Sequence, residues 1–125
     1  MRKNGGNLLF FSSAASSIGM ANHEAISAAK GGIEAMVRSA AATYAKNNIK
    51  VNAIAPGLVD SNLSKNIVSN EVALNISKKM HSVGRIGTPD DISKFAIPLI
   101  VDNSSWVTGS IINIDGGLST TKIAS

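Results

Sequence analysis

Residues that could bind a ligand or move a proton cluster behind three short apolar segments of the chain. Ser12 and Ser13 follow the first segment, residues 56–61 (PGLVDS) follow the second, and residues 115–117 (DGG) follow the third. In open α/β sheets the ligand crevice lies beyond the carboxyl ends of the strands, so this placement favours a binding site built from all three clusters. Ser, Pro, Gly and Asp are also the ordinary residues of turns, and that interpretation stays open for each cluster taken alone.

The apolar segments themselves indicate buried strands, because each is too short for a helix and none alternates with polar residues. We predict strands at Asn7–Phe11, Val51–Ala55 and Ser110–Ile114. Between them the apolar residues recur at helical spacing, and Thr88-Pro89 has the form of a helix start. We predict helices from Glu24 to about Asn47, near Ser69–Met80, and from Thr88 to about Val101. A βαβαβ order with long crossovers predicts parallel strands and an α/β fold.

The composition excludes several classes of protein. A chain of 125 residues with 44% hydrophobic and 16% charged residues is typical of a folded globular domain. Its net charge of +4 comes from scattered basic residues, and only 4% of the chain is aromatic, which disfavours a nucleic-acid partner. Without cysteine there are no disulfides or thiolate metal sites, and we expect no metal and a cytoplasmic location. The longest apolar run, Phe95–Val101, is far shorter than the roughly 18 to 20 residues of a membrane span, so no membrane segment is expected.

The order and spacing of the motifs resemble the C-terminal half of a classical short-chain dehydrogenase/reductase, over nearly the whole chain. The matching segments are Ser12-Ser13, AAKGG at 28–32, IKVNAIAPG at 49–57, GRIGTPDD at 84–91, and VTG at 107–109 leading to DGG at 115–117. The chain resembles the members of this family that are similar to 3-oxoacyl carrier-protein reductase. The resemblance implies a Rossmann-like doubly wound parallel sheet, of which this chain would hold three of the usual seven strands.

The resemblance also implies hydride transfer between NAD or NADP and a small carbonyl or alcohol substrate. In the family a serine polarises the carbonyl, a tyrosine thirteen residues later exchanges the proton, and a lysine four residues after that lowers the tyrosine pKa and holds the nicotinamide ribose. A phenol titrates near ~10 unaided, and an adjacent ammonium favours its ionised form. Counting from Ser13 leads to position 26 and then to Lys30. Ser13 is therefore a candidate catalytic residue, and Lys30 a candidate catalytic and ribose-binding residue, although a turn serine and a helix lysine would look the same.

The position of the family's tyrosine is occupied by Ile26, whose side chain neither donates nor accepts a hydrogen bond. Loss of a general acid removes about 10²- to 10⁴-fold in rate, so we expect impaired catalysis. His23 is a candidate replacement, because seven helical residues separate it from Lys30 and return it to within about 20° of the same face. It also lies roughly 4.5 Å from position 26 along the helix axis, and a histidine at a helix start is typical of a cap or an exposed side chain.

By resemblance, the turn at Pro56-Gly57 faces the nicotinamide carboxamide. Val59 would contribute its main chain and Ser61 its hydroxyl, where the family commonly has threonine. Alternatively, Ser61 and the aspartate before it only cap the next helix. Residues 62–81 correspond to the family's substrate lid. Its expected wall residues are Leu63, Ile67, Leu74 and Met80.

The family's dinucleotide-binding fingerprint has no match here, because Gly5-Gly6 precedes a strand instead of following one. The residue that selects NAD from NADP is missing with it. We therefore expect residues 1–125 to be a partial domain that lacks the N-terminal half and that joins a complementing N-terminal portion or further copies in a homo-oligomer. Three functions are compatible: an oxidoreductase with a nonstandard proton donor, a non-catalytic subunit whose helix from Glu24 packs on a partner copy, or, least favoured by the motifs, a small nucleotide- or protein-binding α/β module.

Overall fold

Three parallel strands form the sheet in the computed structural model of the chain, which describes Met1 and residues 3–124. The strands are β1 (Gly6–Phe11), β2 (Ile49–Pro56) and β3 (Ile111–Ile114), with β2 in the centre. The helices are α1 (Glu24–Tyr44), α2 (Lys65–Val68), α3 (Glu71–Met80) and α4 (Pro89–Val101). The predicted strands, their parallel pairing and the three predicted helices are confirmed, and the single turn α2 is an addition that the periodicity did not predict.

The main core lies between α1 and the sheet. Val37 and Ala41, one helical turn apart, pack against Ile49, Val51 and Ala53 of β2. Val37, Val51 and Ala53 are completely buried. Each fully buried valine stabilises the fold by about 1.5–3 kcal/mol relative to exposure, so this contact fixes α1 on one face of the sheet.

Helix α1 ends where the chain turns into β2. Residues 45–47 form one turn of 3-10 helix, and Asn48 adopts a left-handed conformation with φ of 54°. Asparagine tolerates this conformation better than most residues, because its short polar side chain bonds locally. The apolar stripe of α1 ends at Tyr44, the residue directly before this turn.

Helix α4 covers the opposite face of the sheet and contacts β1 and β2. Because side chains alternate along a strand, Ile54 points away from the α1 side of β2. Ile54 is completely buried, and Ala96 of α4 is 8% exposed. The result is a helix–sheet–helix sandwich, the α/β architecture expected from the sequence.

A buried asparagine in β2 organises the segment that leads into β3. Asn52 is 2% exposed, donates to the carbonyl of Val107 at 2.9 Å and accepts from the N–H of Ser110 at 3.1 Å. The N–H of Val51 donates to the hydroxyl of Thr108 at 3.1 Å. These bonds fix the VTG motif, residues 107–109, to the central strand β2.

β1 is an edge strand of the sheet. β1 pairs with β2 along its whole length, from Gly6 opposite Ile49 to Phe11 opposite Ile54. Within residues 3–124, no strand pairs with the other edge of β1. An unpaired edge presents a row of backbone donors and acceptors to which another strand could bind.

The start of α4 is a capping box closed by an ion pair. The Thr88 hydroxyl accepts the N–H of Asp91, and the Asp91 carboxylate accepts the N–H of Thr88. The guanidinium of Arg85 donates to both Asp91 oxygens, at 2.7 and 3.0 Å. The Arg85 hydrogen bond, followed by the Thr88 N–H, holds the pKa of Asp91 well below its usual range.

We expect Asp91→Asn to lower the urea midpoint at neutral pH. A carboxylate whose folded pKa lies below its unfolded value stabilises the fold above the unfolded value and loses that effect as pH falls through the folded one. The difference between the two proteins should therefore narrow as pH falls below about 4. Asp90→Asn, which changes only an exposed pair with Lys94, is the matched control and should alter the midpoint little. An Asp91→Asn difference of equal size at pH 7 and pH 3 would contradict the expectation.

Candidate functional site

A cleft of about 640 Å³ opens at the carboxyl ends of β1 and β2. Its walls come from both strand ends, α1, the turn after β2, α2 and the start of α4. The lining includes Ser12, Ser13, Ile26, Lys30, Pro56, Gly57, Val59 and Ser61. Every predicted catalytic or cofactor-binding residue except His23 therefore lies around one cleft. The third predicted cluster, residues 115–117, does not line it, and Asp115 and Gly116 line a smaller neighbouring pocket of about 180 Å³ instead.

Ser13 lies directly behind β1 at the start of a one-turn 3-10 helix, Ala14–Ser16. Its hydroxyl accepts the N–H of Ala15 at 3.2 Å, which leaves the hydroxyl hydrogen to donate. The hydroxyl of Ser27 on α1 donates to the carbonyl of Ala15 at 2.9 Å. This bond holds the Ser13 turn against the helix that carries Lys30.

Lys30 and Ile26 lie one helical turn apart on α1, and both line the cleft. The Lys30 ammonium donates to the carbonyl of Phe11, at the end of β1, at 3.0 Å. Ile26 is 45% exposed. The cleft thus has a fixed ammonium, and an aliphatic side chain stands where the resemblance places a phenol.

His23 lies immediately before α1 and is not part of the cleft lining. Its Nδ1 lies 2.8 Å from the carbonyl of Ala21, so Nδ1 is the donor of that bond. The structure does not bring His23 together with Ser13 and Lys30. Its proposed role as proton donor stays a prediction.

The turn after β2 is held by backbone bonds to its neighbours. The N–H of Gly57 donates to the carbonyl of Ile114 at 3.1 Å. Gly87 donates to the carbonyl of Leu58 at 2.8 Å and accepts from the N–H of Asp60 at 2.9 Å. These bonds fix residues 57–60 between the end of β3 and the segment before α4.

Ser64 organises the end of this turn, and the sequence analysis missed it. Its side chain is buried, its hydroxyl accepts the N–H of Ser61 at 3.0 Å, and the same hydroxyl donates to the carbonyl of Val59. Ser61 also begins the 3-10 turn Asn62–Ser64 and lines the cleft. The cap interpretation of Ser61 and a hydroxyl role in the cleft are therefore compatible. The three-residue spacing of two serines is the only local signal that could have marked Ser64.

Residues 62–81, to which the resemblance assigns a substrate lid and which are called the lid segment below, contribute unequally to the cleft. Leu63 and Ile67 line it, whereas Leu74 and Met80 are not among its lining residues. His81, at the end of α3, is 3% exposed and packs behind the turn after β2. No sequence pattern pointed to it, because the Leu58 N–H that it accepts lies 23 residues earlier in the chain.

Within Met1 and residues 3–124, no group of three or more His, Asp or Glu side chains could hold a metal ion. In the same part of the chain, no helix has the length and apolar character required to cross a bilayer.

Comparison with known proteins places this fold in a family. Residues 1–119 match the family model described as enoyl-(acyl carrier protein) reductase. Over 92 residues the chain is 37% identical to the 3-oxoacyl-acyl-carrier-protein reductase of Chlamydia trachomatis, covering 74% of this chain and 36% of that protein. The chain spans between about a third and a half of the length of several curated relatives that it matches.

Solved structures agree with this assignment. A short chain dehydrogenase family protein from Francisella tularensis superposes with a TM-score of 0.88 at 33% identity, covering 95% of this chain and 53% of that one. A gluconate 5-dehydrogenase from Burkholderia cenocepacia, solved in complex with NADP and tartrate, gives 0.89 at 25% identity, covering 95% and 47%. With a family match over nearly all its residues and the same parallel Rossmann-like sheet, the chain belongs to the short-chain dehydrogenase/reductase family.

Proposed function

We propose that this chain carries the nicotinamide-facing and substrate-facing half of an NAD(P)-dependent oxidoreductase acting on a small carbonyl or alcohol, and that its catalysis is impaired. The observation that supports this proposal best is the cleft, because Ser13, Lys30 and the turn at 56–61 meet there. Family membership supports the reaction class. A cytoplasmic location also belongs to the proposal, and fractionation of the source cells would test it.

The donors around the cleft fit the nicotinamide end of a dinucleotide. Its volume of about 640 Å³ lies in the range of small-molecule sites. Lys30 would hold the ribose, while the Val59 main chain and the Ser61 hydroxyl would bind the carboxamide. The bound cofactor supplies or accepts the hydride. The motif for the adenosine end has no counterpart in the chain, so we propose that a complementing N-terminal portion supplies it.

The chain's own residues could bind the substrate carbonyl and the ribose, but they do not supply the proton donor at position 26. Ser13 keeps a hydroxyl hydrogen that could bond to a substrate carbonyl oxygen. The carbonyl of Phe11 already occupies one of the three donor positions of the Lys30 ammonium, which leaves two. Ile26 offers no proton, so the proton-transfer step has no side-chain donor at its usual place. This missing donor is the reason for proposing impaired catalysis.

A second candidate is a non-catalytic subunit of the same fold, favoured by the isoleucine in the cleft. Large apolar side chains are exposed on both outer helices: Met36 on α1 is 43% exposed, and Phe95 and Ile97 on α4 are each 57% exposed. Such surfaces are typical of proteins that associate. The partner would be an N-terminal portion at the free edge of β1 or a second copy on α1. Carbonyl reduction by the parent chain would exclude this candidate.

We expect nicotinamide binding to be measurable but weak. The probes are NADH and reduced nicotinamide mononucleotide, the latter because the cleft residues face only that end of the cofactor. Titration followed by amide NMR should move the signals of residues 57–61 and of Lys30, with a dissociation constant well above micromolar. Lys30→Met should weaken binding by at least about tenfold, as expected for loss of a hydrogen bond from a charged group.

The matched control is Lys94→Met, which removes a lysine that is paired with Asp90 on the surface of α4 and is not part of the cleft lining. It should bind as the parent does. Shifts spread evenly over the protein, or equal losses in the two variants, would contradict the proposed site. Micromolar affinity for NADH would refute the half-site interpretation.

A further inference from the structure

His81 is a buried histidine whose two ring nitrogens both have backbone partners. The N–H of Leu58, in the turn after β2, donates to Nε2 at 3.1 Å. Nδ1 lies 2.7 Å from the carbonyl of Ser77, in the last turn of α3. The side chain therefore lies between the last turn of α3 and the turn that lines the cleft.

These partners define the state of the ring. An amide N–H only donates, so Nε2 must accept, and a carbonyl only accepts, so Nδ1 carries the hydrogen. The imidazole is neutral in this arrangement. The Ser77 carbonyl also accepts the backbone N–H of His81 at 3.3 Å, so the ring is a second donor to that carbonyl, and at the same time it holds the Leu58 amide.

The ring also packs tightly against the turn. A Cβ at Gly57 would lie 2.6 Å from Nε2 of His81 and 3.0 Å from the Cα of Asp115, so only glycine leaves room for the ring there. Buried bonds in such a tight contact resist sliding of one element over another. Movement of the end of α3 would therefore change the position of the Leu58 amide.

The charged groups near the ring already have other partners. The small pocket of about 180 Å³ beside His81 is also lined by Arg85, Asp91 and Asp115. Arg85 and Asp91 form an ion pair with each other. Asp115 accepts hydrogen bonds from Gly117 and Ser119. The imidazole therefore has the two backbone groups as its hydrogen-bond partners.

We propose that His81 is a positioning residue that ties the lid helix α3 to the turn at residues 57–59, so that the lid and the backbone facing the nicotinamide keep one relative position. The effect of that position on cofactor binding rests on the proposed function, which assigns the nicotinamide carboxamide to this turn. His81 itself acts through Leu58 and need not touch the ligand.

The test compares His81→Leu, which fills space without an acceptor, with His81→Gln, whose side-chain oxygen can still accept near Nε2. Hydrogen exchange of the Leu58 amide, measured by NMR in the ligand-free 125-residue chain, should be about tenfold faster or more in His81→Leu, the size expected for one lost hydrogen bond. His81→Gln should restore slow exchange. The amide of Ala53, bonded to Ser110 within the sheet, is the internal control.

Unchanged exchange at Leu58 in His81→Leu would overturn the proposal. Equal acceleration at Leu58 and Ala53 would also overturn it, because His81 would then only contribute to global stability. If His81→Leu does not fold, the imidazole 15N signals of the parent decide: a hydrogen on Nδ1 supports the bridge, and a hydrogen on Nε2 refutes it.

Binding of reduced nicotinamide mononucleotide separates this proposal from the proposed function. If the parent binds, His81→Leu should bind several-fold more weakly and His81→Gln as the parent does, whereas equal affinities overturn the positioning role. If the parent does not bind but Leu58 exchange responds as expected, the proposed function fails and the tie between lid and turn stands.

Discussion

Ile26→Tyr is expected to raise carbonyl reduction by about 10²- to 10⁴-fold over the parent chain, the usual contribution of a positioned general acid. Position 26 already lines the cleft and lies one helical turn from Lys30. A phenol there would share the helix face of the ammonium, which favours the ionised phenol and brings it closer to working pH. Oxidation of NADH and NADPH at millimolar concentration, against a panel of aldehydes and ketones, measures the effect.

Ile26→Phe is the matched control, because it adds the ring without the hydroxyl. It should stay at the parent's rate, and equal gains in the two variants would show that filling the cleft, not proton donation, causes the change. His23→Ala in the parent tests the remaining donor hypothesis: an unchanged rate ends it, and a loss of the parent's activity supports it. Turnover only in Ile26→Tyr would agree with a chain that has lost its proton donor.

Ile54→Ala is expected to lower the free energy of unfolding by about 2–5 kcal/mol, the usual cost of truncating a fully buried isoleucine. Ile54 is completely buried in the central strand, opposite Phe11 of β1 and Ile112 of β3. The cavity would lie on the α4 side of the sheet, where the core is thin, since Ala96 is the only residue of α4 that is buried. For a small domain with a total stability of about 5–15 kcal/mol, this loss is a large fraction.

Urea unfolding followed by circular dichroism measures this loss. Ile76→Ala on α3 is the control, because Ile76 is 56% exposed and its truncation should change stability by no more than about 0.5 kcal/mol. Comparable losses in the two variants would show that the α4 side of the sheet is not a packed core.

The predicted elements agree with the structure because their signals are local. The apolar stripe of α1 and the cap at Thr88 depend on residues within a few positions of each other. The predicted ends of the strands are less precise. The sequence predicts β2 at Val51–Ala55, and the strand spans Ile49–Pro56. Its two ends are set by pairing, since Ile49 lies opposite Gly6 and Pro56 opposite Ile114. Such partners are distant in sequence, so composition near the strand could not locate them.

The candidate site also contains residues that the sequence could identify and residues that it could not. The resemblance assigned Ser13, Ile26 and Lys30 to one site, and all three line one cleft because they lie at a strand end and on one helix face. The same reasoning could not find Ser64 or His81. Their roles come from the carbonyl of Val59 and the N–H of Leu58, backbone groups that carry no residue-specific signal.

The sequence by itself determined the fold class, the family and the absence of a phenol at position 26, because each follows from residue type and short-range spacing. Only the tertiary structure decided that Lys30 bonds to the end of β1, that His23 lies outside the cleft, and that His81 joins the end of α3 to the turn after β2. These are contacts between segments far apart in the chain, and their geometry depends on how α1, α3 and the sheet pack together.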